Sequence, residues 1–402
     1  MFVWLLIGYM WLFIHRPFEV WPALGDFRVE LIYMLVTIAA WLFHPGKRWP
    51  SSVANLSILA FVAAVLICWL ASDWFDDSSY TIEKYLKLSV FYFLLVTTIN
   101  QERDLRLLCA AFLVIMAGYM LHSLWEYHNG RHEYRMGIVR MVGVDLTAND
   151  PNAFAASVVY ALPLITAFWS SSNISSKRRI LLGAYVVLSA WCIILTGSRS
   201  GFIGLILASV ITMVAHHLRW RLCALGLLCA PLLWACIPDS LQNRFETIVD
   251  PDVGPANAQE SAMGRIEGFK NGVALLEKYP ITGSGPGAWK QGTGTLFESH
   301  NLYAQVMGEM GLIGCVAFGV MLGTLAATIF RILRSELQDA GTGQSFLAAL
   351  AKSLALALGL MLVEGNFGHN LFRYNWLWYG AFIVVMDQLA KTRSANRAAI
   401  SL

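Results

Sequence analysis

Apolar runs the length of helices alternate with short polar breaks along most of this chain, and strand-like two-residue alternation is rare. A bilayer core of about 30 Å takes about 20 apolar residues per helix, fewer where Trp and Tyr sit at the interface. Measured that way, the pattern predicts about twelve spans, near 1–14, 28–43, 52–71, 84–99, 105–124, 151–170, 179–196, 200–217, 221–237, 305–330, 344–364 and 373–390. The expected fold is therefore an all-α integral membrane protein. Residues 1–402 form a single polytopic membrane domain in this reading, with one long extracytoplasmic loop at 238–300. That loop holds DPDVGPANAQESAMG, read as flexible, then RIEGFKNGVALLEKYP, whose apolar spacing is helical, then the turn-rich TGSGPG. A loop of that length commonly carries function.

Composition strengthens the membrane reading. Of 402 residues, 57% are apolar and 14% charged, against about 25% charged in soluble domains, and mean hydropathy is +0.56. The net charge of +3, spread over short loops, argues against a nucleic-acid binder. All seven cysteines (Cys68, Cys109, Cys192, Cys223, Cys229, Cys236 and Cys315) fall in apolar runs without CxxC spacing, and read as buried inert thiols. The opening MFVWLLIGYMWLFIH lacks a basic n-region and a small-residue cleavage site, and reads as a retained first span.

Basic residues set the orientation, because short loops rich in Lys and Arg stay in the cytoplasm. Alternate loops read HPGKRWP, NQERDLR, SSKRR, HHLRWR and FRILRSE, with the tail KTRSANR on the same side. Both termini are then cytoplasmic. The opposite face carries SDWFDDSSYTIE, the 125–149 segment, the turn TGSRSG, the 238–300 loop and GNFGHNLFR.

Candidate chemistry gathers on that outer face. Arg199, in LTGSRSGFIG, stands where a basic residue gains nothing for topology. It reads either as a snorkelling or paired arginine, or as an anion ligand working with backbone N–H groups at the next helix start. Arg265 alone reads as part of a solvated helix face; beside Arg199 it becomes a second candidate. His300 opens the last stretch, ESHNLYAQVMGEMGLIG, with Asn301, Tyr303 and Glu309 as candidate supporting residues. An imidazole suits proton removal from an alcohol, while Asn301 is also a plain helix cap. GSGPG (283–287) lacks the Lys-Ser/Thr of a phosphate loop and reads as a structural turn. DWFDD reads as acidic topology rather than a cation site. His122, His128 and His132 are spaced wrongly for zinc. DLTANDPNAFA (145–155) reads as a capped helix entry with a proline in its first turn, and His369, Asn370 and Arg373 form a further polar group with no assigned role.

Taken together, ANDPNAFA, LTGSRSGFIGL, and GRIEGFKNGVALLEKYPITGSGPGAW leading to ESHNLYAQVMGEMGLIG resemble the O-antigen ligase and polymerase superfamily of bacterial membrane glycosyltransferases. That superfamily includes lipopolysaccharide O-antigen ligases, repeat-unit polymerases and protein O-oligosaccharyltransferases. The resemblance extends over most of the chain in layout and implies a GT-C-like membrane fold. It matches Arg199, Arg265 and His300 to that family's functional residues, with the arginines on the donor diphosphate. It further implies transfer of a glycan from undecaprenyl diphosphate to an acceptor hydroxyl, on glycan, lipid A core or protein, with no cofactor and no metal. The implied place is the periplasmic face of the bacterial inner membrane.

Physical chemistry reaches the same reaction class. Breaking an anomeric carbon–diphosphate bond builds negative charge on the leaving group, which fixed guanidinium groups stabilise more in the transition state than in the ground state. His300 would take the acceptor proton, with in-line attack and inversion at the sugar carbon. The rival from another class is a transporter or flippase for lipid-linked glycan, which predicts ionisable residues along a path through the bilayer. A structural scaffold is a further alternative.

Overall fold

The computed structural model describes residues 2–135, 137–145, 149–170, 174–215, 219–235, 237–250, 257–338 and 345–400. The elements that matter below are α1 (Phe2–His15), α2 (Val29–Leu42), α3 (Val53–Leu70), α4 (Ser79–Thr98) and α5 (Glu102–His128), then the hairpin β1 (Glu133–Arg135) and β2 (Ile138–Arg140). There follow α6 (Pro151–Ala161), α7 (Leu164–Trp169), α8 (Ser176–Leu195), α9 (Arg199–Ala215) and α10 (Arg219–Ala235). The remainder are α11 (Asp239–Glu246), α12 (Asn257–Lys278), α13 (Leu302–Gln338), α14 (Phe346–Glu364) and α15 (Tyr374–Ile400).

Among the described residues, each of the twelve apolar runs is helical, the sixth divided into α6 and α7 and the tenth interrupted at Gly311. Among the described residues, six helices are long and apolar enough to cross a membrane. The chain is a mostly helical, multi-pass membrane protein. Its outer surface bears this out: Val53, Leu56, Val114, Ile180 and Val187 stand more than 60% exposed, which suits lipid and not water. Inside, α15 is buried all round from Asn375 to Asp387, as expected of a helix enclosed by others. Trp376 and Trp378 fill the centre, Trp376 donating its indole N–H to the Asn370 carbonyl at 2.9 Å.

Local chemistry explains where helices begin. Asp150 accepts from the Ala153 N–H at 2.8 Å with Pro151 in the first turn, the capped entry that 145–155 predicted; within that motif, residues 146–148 lie outside the described residues. Ser345 caps α14 through the Ala348 N–H, and Asn301 caps α13 by accepting from the Ala304 N–H at 2.9 Å.

Three departures have physical causes. Segment 125–149 departs from the all-α expectation: β1 and β2 pair antiparallel, Tyr134 opposite Val139, joined through Gly137 at φ 80. Part of the stretch expected to be flexible is helical, because α12 starts at Asn257; residues 251–256 lie outside the described residues. Finally, α13 is broken at Gly311, at φ 57 and ψ −153. There Pro280 and Ile281 offer carbonyls to the Leu312 and Ile313 N–H groups at 2.9 and 3.1 Å, while Ser284 and Gly285 donate to the carbonyls of Gly308 and Glu309. The GSGPG turn is thus structural: Gly283, Gly285 and Gly287 all have positive φ, and a side chain at Gly283 would strike the backbone at Glu309. Cys68, Cys109 and Cys192 are buried thiols, and Cys223 and Cys315 are half-buried and free; the side chains of Cys229 and Cys236 lie outside the described residues.

Candidate active site

Glycine spacing on α12 sets the site. Arg265, Gly268 and Gly272 follow one another by three and four residues, so they share a face. A methyl at Gly268 would meet the Ser299 carbonyl at 2.3 Å, and one at Gly272 would meet Ala304 at 2.8 Å. The α12 backbone therefore lies directly on residues 299–304, and Arg265, one turn earlier on the same face, is carried toward the His300 segment. The Arg265 guanidinium packs over the Phe367 ring, 5.1 Å from its centroid. Burial lowers its proton affinity, the nearby Arg199 charge lowers it further, and Glu364 opposes both. Arg199 and Arg265, 66 residues apart in sequence, thus act on one another across space.

Arg199 is held by the turn that the sequence singled out. Gly197 takes φ 57, and the Ser198 hydroxyl accepts from the Gly201 N–H at 3.2 Å, so Ser198 caps α9 and Arg199 opens it. The short amphipathic α11 is clamped above: Arg244 Nε donates to the Gly197 carbonyl at 2.6 Å, and Phe245 stacks on Phe202 at 4.4 Å. Arg199 Nη1 donates to Thr247 Oγ1 at 3.1 Å, so its guanidinium points up to the α11 segment.

His300 lies just before the Asn301 cap with φ 44, a left-handed conformation costing of order 1–2 kcal/mol for a residue with a side chain. The neighbours hold it there: the Leu302 N–H donates to the Gly365 carbonyl at 2.6 Å, and Ser299 Oγ donates to the Asn301 carbonyl at 3.2 Å. His300 lines a cavity of about 550 Å³. Its ring stands 5.5 Å from that of His369.

The cavity wall contains more chemistry than the sequence suggested. Beside His300 it presents Arg373, Glu364, Asp150, Lys84 and Arg16. His369 is exposed at the cavity, yet the surrounding protein lowers that ring's proton affinity; Glu298 opposes, and His300 and Arg373 lower it further. His369 is accordingly a neutral imidazole near pH 7. Arg16 is matched by Glu19 at 2.5 Å, and Asp145 accepts from the Tyr119 hydroxyl. Glu364 is buried on a wall made by Gly204, where any Cβ would meet its Oε1 at 2.5 Å, with the Ser200 hydroxyl beside it. Arg199 and Arg265 are not among the lining residues; Arg265 acts on the lining residue Glu364, and Arg199 acts on Arg265.

Of the supporting candidates, Asn301 is a cap and Tyr303 donates to the Leu362 carbonyl at 3.0 Å. Glu309 accepts from the Gly287 N–H at 2.8 Å and from Gln305 Nε2 at 3.3 Å. It pins the glycine turn and does not line the cavity. His122 meets His15, ring nitrogens 2.9 Å apart, rather than His128 or His132. Sequence reasoning left Arg373 and His369 unassigned and overlooked Glu364. A signal existed: EGNFGHNLFR packs three ionisable side chains, Glu364, His369 and Arg373, between two apolar runs.

Residues 184–319 match the family model described as O-antigen ligase. That match covers about a third of the chain and supports the resemblance to the O-antigen ligase and polymerase superfamily, and with it a membrane enzyme of O-antigen ligase/polymerase type. No curated protein matches it. It is similar to a solved chain from a structure titled "Structural coordination of polymerization and crosslinking by a peptidoglycan synthase complex", at 15% identity and TM-score 0.40, covering 86% of this chain and 99% of that one. That likeness is too slight to carry an argument.

Proposed function

We propose that this protein moves a glycan from undecaprenyl diphosphate to an acceptor hydroxyl at the periplasmic face of a bacterial inner membrane. In this proposal the twelve helical runs all span the membrane as one domain, both termini are cytoplasmic, and the cavity opens at the outer face. One observation carries the reading most: His300 lines a cavity with Phe367, over whose ring Arg265 packs, and Arg199 is close enough to act on Arg265.

The acceptor hydroxyl oxygen attacks the anomeric carbon, the carbon–oxygen bond to diphosphate breaks, and the proton passes to the His300 imidazole. Negative charge grows on the departing diphosphate. Arg199 and Arg265 stabilise it without reorganising, because each is already fixed by packing. The polyprenyl tail stays in lipid. Repeat-unit polymerisation or transfer to protein would use the same steps with another acceptor.

The test is reconstitution in liposomes with lipid-diphosphate-linked oligosaccharide and candidate acceptors, with and without EDTA, products separated by mass. Glycan joined to an acceptor in both tubes, and lost in Arg199→Ala, Arg265→Ala and His300→Ala, is the expected result. Glycan translocated with its diphosphate linkage intact would replace the enzyme by a flippase.

A further inference from the structure

Arg373 immediately precedes α15, and the described residues give it no ion pair. One nitrogen, Nη1, is tied twice to α6, donating to the Ala153 carbonyl at 3.1 Å and to Ser157 Oγ at 2.9 Å. Those two bonds fix the guanidinium plane. Its Nε and Nη2 donors have no protein acceptor among the described residues, yet the side chain lines the same cavity as His300. A half-buried cation with its plane fixed and its donors unspent is built for an oxyanion.

Its charge belongs to a series. Glu364 feels both Arg373 and Arg265, and Arg265 in turn feels Arg199. Two guanidinium groups thus act on a single carboxyl, and a third acts on one of the two. A diphosphate diester carries two negative charges and gains more as its sugar leaves.

From this, and resting on the proposed function above, we infer that Arg373 is a third diphosphate ligand, the one that contacts the phosphate oxygens inside the cavity, while Arg199 and Arg265 act from its rim. Glu364 serves as the positioning residue that spaces Arg265 and Arg373 before the lipid arrives.

The experiment measures binding of undecaprenyl diphosphate and undecaprenyl monophosphate, both without glycan, to the full chain in nanodiscs. Wild type, Arg373→Gln, Arg373→Lys and, as a control outside the cavity, Asp387→Asn are compared, with melting curves to show folding. Expected is at least tenfold weaker diphosphate binding in Arg373→Gln, a smaller loss for the monophosphate, and wild-type affinity in Asp387→Asn. Arg373→Lys keeps charge but not the planar fork, and should lose most of the preference for diphosphate over monophosphate; it decides the matter if Arg373→Gln does not fold. Wild-type affinities and preference in the folded Arg373 variants would overturn the assignment and leave the proposed function standing. Absence of diphosphate binding in the wild type would overturn both.

Discussion

Two groups of charge lie toward opposite ends of the same helices, and they are built differently. About 20 Å along α15 from Arg373, at 1.5 Å per residue, Asp387 is buried between Arg331 at 2.7 Å and Lys391 at 2.9 Å. Nearby, Arg393 joins Glu102 to Glu336, and Arg106 pairs with Glu102 at 2.6 Å. At the cavity end, Arg373 and Lys84 have no ion pair among the described residues, Lys84 resting over the Tyr80 ring at 4.1 Å. Paired charges fasten helices together. Cations kept without a carboxylate cost stability and are kept where a ligand completes them.

Substitutions should separate the two ends sharply. His300→Ala is expected to lower glycan transfer by about 10²–10⁴-fold, the usual contribution of a general base, with an unchanged melting curve; transfer at the wild-type rate would remove His300 from the reaction. Arg265→Ala should cost about 10²–10³-fold in turnover, in the range of one lost oxyanion donor, read in the same liposome assay. Gly272→Val tests whether close docking of α12 matters. It should destabilise by about 1–3 kcal/mol through overpacking and reduce turnover per folded molecule, since Arg265 rides on α12.

At the other end, Asp387→Asn should lower stability by about 1 kcal/mol, because its half-exposed partners can turn to water. Turnover of the folded protein should not change; a catalytic loss there would erase the distinction between the ends. Smallest is a pH effect. His369 holds its proton less tightly when folded than the ordinary value of about 6.5, so the unfolded chain takes up more protons as pH falls. Stability from this group is therefore intact above about pH 6.5 and declines in acid. Melting temperature against pH should show a shallower acid slope in His369→Gln, and identical slopes would contradict this account.

Much of this was legible in the chain. Run length alone located the helices, since only a helix satisfies backbone polar groups across so many apolar residues. Caps at Asp150 and Asn301 and the structural role of GSGPG were readable because each depends on residues within a few positions. Arg199, Arg265 and His300 could be singled out by residue type and position. Arg373 and Glu364 could not be given roles, because what makes them notable is a missing partner in one case and a wall formed by a glycine 160 residues away in the other.

Sequence by itself determined the solvent, the helices and their caps, since hydropathy and short-range hydrogen bonding act along the chain. Tertiary structure decided which charges are answered. It laid the glycine face of α12 against residues 299–304, broke α13 at Gly311 to receive a turn, and brought Arg373 to the cavity of His300 without a carboxylate to pair it. Electrostatic partnership depends on distance in space, and that distance is fixed only when the helices pack.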